Sequence, residues 1–194
     1  MPNWCYSSYV IEGKKKELQS LHSKMKRLEK RKKSLVENGF GKTWLGNLVT
    51  RLGGDWQKVY CRGSWSDLDW NGSILRFNTE TAWGPMTEVF KFIKNIYPSL
   101  EIYYMAEEDG NGVFITNDTE GRYFRDRYRI EYDCDYEYFT TIEGVYEYVS
   151  GIIGKELNSK AAMEAAINDW NDNTEDDDRK IYFVEYEVVA DEHL

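Results

Sequence analysis

Residues 79–98, TETAWGPMTEVFKFIKNIYP, constrain the fold of this chain more than any other stretch, because they predict a strand end, a turn and a complete helix. Pro85 suits the first helical position, where its fixed φ fits and its missing N–H costs nothing, and Pro98 ends the helix. Apolar residues between the two prolines recur at helical spacing: Met86, Val89, Phe90, Ile93 and Tyr97. We therefore predict an amphipathic helix that packs on a sheet, with Trp83 and Phe90 as buried anchors.

The elements around this helix follow from alternation, helical periodicity and turn residues. In chain order they are a strand over residues 3–12, a basic helix over 14–36, a short helix capped by Thr43, a hairpin with strands over 59–68 and 73–81 about the Asn71-Gly72 turn, the central helix, a strand over 100–106 and a returning strand over 113–116. This is the split βαβ order, so we predict an α+β, ferredoxin-like βαββαβ domain, an antiparallel sheet with helices on one face. It spans residues 1–118, with a helical insertion near 37–55.

Residues 119–194 predict a β-α-α-β extension. Alternation gives a strand over 124–132, and a capping box that begins at Thr140-Thr141 opens a helix that runs to about Ile153. Ser159 opens a second helix, and residues 181–189 form a last strand. We expect the extension to pack on the same sheet, making one compact unit.

The composition of the chain indicates the cellular compartment in which it works. The chain has 194 residues, 41% of them hydrophobic, enough for one good core. It contains no apolar run long enough to span a membrane, and its first residues lack the pattern of a signal peptide, which predicts a cytoplasmic protein without membrane contact. Three distant cysteines, Cys5, Cys61 and Cys134, predict free buried thiols rather than disulfides.

Charge is strongly segregated. Residues 14–33 contain ten Lys or Arg and two Glu, a net charge of +8, which leaves −17 for the rest of a chain whose total is −9. The favoured interpretation of the basic helix is that its apolar stripe packs on the sheet while its lysines are solvated. Blocks of like charge can also form an interaction surface, and the residues chosen for it are Lys15, Lys26, Arg27, Lys30 and Lys33. Its partner can be the chain's own acidic loop 175–178, a second copy or an outside acidic surface.

Two alternatives follow from the same charges. The basic helix over residues 14–33 can bind nucleic acid directly, although an acidic remainder disfavours general affinity for phosphates. The acidic, tyrosine-rich remainder can instead imitate the phosphate array of DNA.

Residues for catalysis are sparse. His22 and His193 are the only imidazoles, and Gly41-Lys42-Thr43 resembles only the end of a phosphate-binding loop. Residues 133–137 carry alternating carboxylates that can chelate a hard cation, although a solvated strand is the commoner outcome. We predict a non-enzymatic protein with no catalytic residue, cofactor or metal.

Tryptophans and acids coincide at the predicted hairpin, in Trp65, Asp67, Asp69 and Trp70. Aromatic walls beside a carboxylate pair suit a sugar or a base, although residues that only build the hairpin turn are the favoured interpretation. Four tryptophans, Trp4, Trp65, Trp70 and Trp83, can also line a stacking groove, but packing in the core is the favoured interpretation.

The opening MPNWC, the hairpin start GSWSDLDW and the segment from Phe77 through TAWGP into VFKFIKNIYPSLEI resemble the YubB-like ferredoxin-like-domain family. The resemblance covers residues 1–118. Its members are mostly uncharacterised products of phages, plasmids and other mobile elements, and it implies that fold and setting but no site residue. Because the sequence has no competent catalytic set and its charge is segregated, we predict that the chain binds a protein partner, from a host or of its own kind.

Overall fold

The computed structural model describes residues 2–190. Within these residues the chain divides into two compact units, one formed by residues 2–119 together with 188–190, and the other by Glu120–Glu187. The first unit contains β1 Trp4–Glu12, α1 Lys15–Glu29, α2 Leu45–Arg51, a 3-10 turn Trp56–Lys58, β2 Gly63–Trp70, β3 Leu75–Ala82, α3 Thr87–Ile96, β4 Glu101–Glu108 and β5 Val113–Thr116. No helix among the described residues is both long and apolar enough to cross a membrane.

The sheet of the first unit has the order β2-β3-β1-β4-β5, and a short strand β9, Glu187–Val188, follows β5 at its edge. Strand β1 lies antiparallel between β3 and β4, with Tyr9 opposite Phe77 on one side and Tyr104 on the other. The order of β1 to β4 and the two helical crossovers are those of a ferredoxin-like split βαβ domain, which confirms the predicted α+β class.

The core of this unit lies between one face of the sheet and the helices. The ring of Tyr9 stacks on Phe90 of α3 at a centroid distance of 4.0 Å and on Phe77 at 5.2 Å. Helix α1 contributes a buried stripe of Leu18, Leu21, Met25 and Leu28. The opposite sheet face is polar and partly exposed, with Tyr6 61% accessible.

Helix α3 carries the predicted stripe, and Phe90 is 1% exposed, so this anchor is confirmed. Trp83 is 46% exposed, and its prediction as a buried anchor is wrong. Its backbone has a φ of 71°, unusual for a bulky residue, at the turn between β3 and α3. The helix begins at Thr87 rather than at Pro85, which lies in the preceding turn.

Helix α1 is shorter than predicted, because it ends at Glu29 rather than near Val36. Continuing it would place Lys33 one turn from Lys30, next to the pairs that Arg27 makes with Lys30 and Arg31, and such like-charge pairs weaken a helix. The chain instead forms a loop whose polar groups find other partners, and Val36 N–H donates to Asn47 Oδ1 at 3.0 Å.

The insertion over residues 37–55 contains the predicted short helix, α2, but Thr43 does not cap it. Trp44 occupies the N-cap position and makes no side-chain cap bond. The Thr43 carbonyl instead accepts from Trp65 N–H at 3.1 Å, which ties the start of α2 to the edge strand β2.

The hairpin β2-β3 is present, with its strands displaced from the predicted limits and Asn71 in the connection. The Asn71 side-chain oxygen accepts from the Ser73 and Ile74 amides at 3.0 and 2.9 Å. A β-bulge between Ser66 and Asp69 gives Asp67 a φ of 54°.

The second unit has its own sheet and core. It contains β6 Tyr128–Tyr132, β7 Asp135–Phe139, α4 Ile142–Ile153, α5 Lys160–Asp172, a 3-10 turn Asp177–Arg179 and β8 Tyr182–Glu185. Its sheet order is β7-β6-β8, and its core gathers Ile130, Val145, Val149, Leu157, Met163, Ala166, Ile167 and Ile181. Thr141 and Ser159 cap α4 and α5 as predicted.

The sequence predicted that residues 119–194 would extend the first sheet as one unit, and the structure differs. Strand β6 finds both neighbours within its own unit, because an unpredicted turn at Asp133-Cys134 folds β7 back onto it. The predicted last strand is divided at Tyr186, and only its later part, β9, follows β5 in the first sheet.

Candidate functional site

The basic surface lies at the C-terminal end of α1 and in the loop that follows. Lys30 is the C-cap residue, and Arg27, Lys30, Arg31, Lys32 and Lys33 are all exposed. We refer to these five residues as the basic patch. Lysine and arginine at a helix C-terminus complement its partial negative charge, so the sequence can hold this density of cations there.

The structure brings only part of the predicted interaction set together. Arg27 and Lys30 lie one turn apart on α1, and Lys33 follows in the loop. Lys15 lies in the first turn, about 16 Å along the axis from Lys26, so it belongs to the opposite end. Lys26 pairs with Glu29 at 2.8 Å and is partly neutralised.

A buried asparagine holds the loop after the patch. Asn47 is 0% exposed, and its amide nitrogen lies within 2.7 Å of Ser34 Oγ and 3.0 and 3.1 Å of the Gly41 and Lys42 carbonyl oxygens. Asn38 adds a bond to Ser34 Oγ at 2.7 Å. Residues 34–42 are thus tied to α2, which fixes where the patch ends.

Lys42, the lysine of the phosphate-loop-like triplet, is engaged in the structure. Its Nζ donates to the Glu29 carbonyl at 2.9 Å, satisfying an unpaired oxygen at the end of α1. This supports a structural role for Lys42.

The tryptophans and acids of the hairpin do not form one site. Trp65 is 2% exposed and belongs to the core beneath the helices, and Trp70 also packs against that core. Asp67 and Asp69 are exposed. The prediction of an aromatic and acidic site there is corrected, because the β-bulge between Ser66 and Asp69 shifts the alternation of β2. Trp65 and Trp70 therefore both pack on the core, while the two acids stay exposed. Trp83 is exposed whereas Trp65 is buried, so the four tryptophans do not share a groove.

Asp67 takes part in a polar network on the exposed sheet face. Its Oδ2 accepts from Ser66 Oγ at 2.9 Å and from Asn78 Nδ2 at 3.1 Å, and Ser8 Oγ donates to Asn78 Oδ1 at 3.0 Å. The bonds from Ser66 and Asn78 lower the pKa of Asp67. An exposed carboxylate with a lowered pKa is poorly suited to donate a proton near neutral pH.

The side chains considered as metal ligands do not come together either. Within residues 2–190 no three His, Cys, Asp or Glu side chains are grouped to hold a metal ion. Burial lowers the pKa of His22, and His193 lies outside the described residues. Of the thiols, Cys5 and Cys61 are buried as predicted, but Cys134 is exposed because it occupies the β6–β7 turn.

The first unit also contains a cleft of about 520 Å³ that the sequence did not predict. Phe40, Trp44, Trp56 and Tyr60 contribute aromatic side chains to it, and we name it the aromatic cleft; the other residues that line it are Gln57, Lys58, Val59, Cys61, Arg62 and Glu88. These residues come from the loop after α1, the start of α2, the segment through the 3-10 turn and the start of α3. The density of aromatic residues in 40–60 was the available signal.

No protein-family model, curated protein or solved structure that was compared with this chain matches it.

Proposed function

We propose that this protein is a non-enzymatic binding module that engages an acidic protein surface through the basic patch. The observation that carries the proposal is the isolation of these charges. No carboxylate among the described residues forms an ion pair with Arg27, Lys30 or Lys33, whereas Lys26 and Lys58 both have acidic partners. Cations held close together without counter-charges favour binding of an anionic surface.

A protein partner is favoured over nucleic acid by where the charge lies. The cations are concentrated at one end of α1, while the exposed sheet face, which binds RNA in RRM domains, carries Asp67, Asp69 and Glu80. Tracking a phosphate backbone needs a longer basic surface than this one. A compact cluster suits one acidic patch on a protein.

The resemblance of residues 1–118 to YubB-like domains adds a setting to this proposal, that of a phage or plasmid product. The acidic partner is then a host protein or a second copy of the chain.

Charge reversal tests the basic patch. The variant Arg27→Glu, Lys30→Glu, Lys33→Glu is compared with Lys14→Glu, Lys15→Glu, Lys16→Glu, which makes the same change in net charge at the other end of α1. The probes are poly-glutamate, as an acidic polypeptide, and a 20-base-pair DNA duplex, each at 50 and 200 mM salt.

We expect wild type and the control to bind poly-glutamate more tightly than DNA, with affinity falling as salt rises. The patch variant should lose at least about tenfold, because three attractive charges become repulsive. Equal binding by the two variants, or tighter binding to the duplex, would contradict the proposal.

A further inference from the structure

The aromatic cleft has walls set at an angle. The rings of Trp44 and Trp56 lie 5.1 Å apart between centroids with an interplanar angle of 67°, so they present an edge-to-face corner rather than a flat stack. Phe40 is partly buried, and Tyr60 is 50% exposed at the cleft. This concave apolar surface, within the usual volume range of small-molecule sites, accepts a planar ring.

Trp44 is held rigidly in this corner. A Cβ placed on Gly46 would lie 2.4 Å from the Trp44 ring, so the glycine permits the indole to pack directly on the α2 backbone. The bridge between Trp44 and Ser64 fixes the backbone of the same residue. The position of the indole is therefore set before any ligand arrives.

The Trp44 indole is also a buried donor without an acceptor. The residue is 6% exposed, and its Nε1–H forms no hydrogen bond within the described chain. Buried indole N–H groups ordinarily find an acceptor, because leaving one unpaired is unfavourable.

Charged groups at the cleft define the remaining chemistry. One oxygen of Glu88 accepts from the Tyr60 amide at 2.8 Å, and no described group donates to the other, which leaves it for a ligand N–H. Arg62 is exposed, and its guanidinium has no described partner. Lys58 makes only a long, exposed pair with Asp55 at 3.9 Å.

We propose that the aromatic cleft binds a purine nucleotide, with its base against the tryptophan corner and its phosphate at Arg62 and Lys58. A purine base combines a stacking face with ring-nitrogen acceptors for Trp44 and amino or imino donors for Glu88. Arginine and lysine then bind the phosphate. An aliphatic ligand has no acceptor for the Trp44 N–H. A simple organic cation would be repelled by Arg62 and Lys58.

Calorimetry with the purified protein tests this site, using GMP, AMP, UMP, guanosine and ribose 5-phosphate as probes. We expect GMP or AMP to bind roughly ten- to hundredfold more tightly than ribose 5-phosphate, the contribution of base stacking. Binding should also quench tryptophan fluorescence. No binding by either purine nucleotide, or ribose 5-phosphate binding as tightly, would overturn the proposal.

Three variants test which side chains of the cleft bind the nucleotide. Trp44→Phe keeps an aromatic wall but removes the N–H, and should weaken GMP or AMP binding about tenfold. Because the smaller buried ring also lowers stability, circular dichroism at the assay temperature checks that the variant is folded. Glu88→Gln keeps an acceptor for Tyr60 but loses the charge, and should also weaken the purines. Arg62→Ala should remove the preference for GMP over guanosine.

The matched control is Trp83→Phe, an exposed tryptophan outside the cleft, which should bind GMP as wild type does. If Trp83→Phe and Trp44→Phe lose affinity equally, the cleft is not the site and the inference fails. This result is independent of the basic patch, since none of these variants alters its five residues.

Discussion

The Trp65 indole donates to Glu29 Oε1 at 3.3 Å, and so joins the edge strand β2 to the last turn of α1. The other carboxylate oxygen pairs with Lys26 at 2.8 Å. A core tryptophan and a surface lysine therefore share one acid beside the basic patch.

Trp65→Phe should lower the free energy of unfolding by about 2–4 kcal/mol, from the lost bond to a charged acceptor and the smaller buried ring. Urea unfolding measures this loss. Trp83→Phe, at an exposed position, should change it by less than about 0.5 kcal/mol. Similar losses in both proteins would show that the Glu29 contact contributes nothing.

Asn47→Ala should cost about 3 kcal/mol, because it leaves the Val36 amide and the Gly41 and Lys42 carbonyls without their shared partner. It should also speed hydrogen exchange at Val36, which donates to Asn47. Asn95→Ala, at an exposed site on α3, serves as the control and should have little effect. Unchanged exchange at Val36 would contradict the assigned role.

Phe90→Ala should cost about 3–5 kcal/mol, since it removes a buried ring stacked on Tyr9. Ile96 lies on the same helix and is 37% exposed, so Ile96→Ala should cost less than about 1 kcal/mol. Thermal or urea unfolding of the two variants compares them directly. A smaller loss for Phe90→Ala than for Ile96→Ala would be inconsistent with the core described here.

A thiol reagent should modify only Cys134 in the native protein, because Cys5 and Cys61 are buried. A hydrogen bond to Asp178 raises the pKa of Cys134, so its labelling rate should keep rising at alkaline pH. Mass spectrometry of peptides locates the label, and denaturation should expose all three sites. Rapid native labelling of Cys61 would show that the structure opens around it.

Burial, with a smaller effect from Glu88, raises the pKa of Cys61 to about 11 from an ordinary value of 9.0. Between these values the unfolded chain loses the thiol proton while the folded chain keeps it, so stability falls as pH rises from 9 to 11. Below pH 9 the Cys61 thiol is protonated in both the folded and the unfolded chain, so its contribution to stability is fully present. Cys61→Ala should flatten this decline, as urea unfolding at pH 8, 9, 10 and 11 will show; an unchanged slope would exclude Cys61 as a cause.

Local signals predicted much of this fold. The spacing of Val89, Phe90 and Ile93 revealed the buried face of α3, and Thr141 and Ser159 marked helix starts, because periodicity and capping depend on residues close in sequence. The ferredoxin-like strand order followed from the order of the elements. These features need no knowledge of distant contacts.

The aromatic cleft could not be predicted in this way. Phe40, Trp44 and Glu88 meet only after α2 and α3 have packed on the sheet, and Trp44 reaches its position because Gly46 lies beneath it. The end of α1 likewise depends on Asn47, eighteen residues beyond Glu29. The exposure of Trp83 follows from a positive φ. Glycine and asparagine are the residues that usually signal this conformation, and neither stands at this position.

Strand β9 has a consequence for the order of synthesis. Because Glu187–Val188 is the outermost strand of the first sheet, the ribosome must produce every residue of the second unit before that sheet is complete. The nascent chain therefore carries β5 as an open edge while residues 120–186 emerge and fold. Such edges pair readily with other chains, so a translational pause in this interval is when self-association is most favoured.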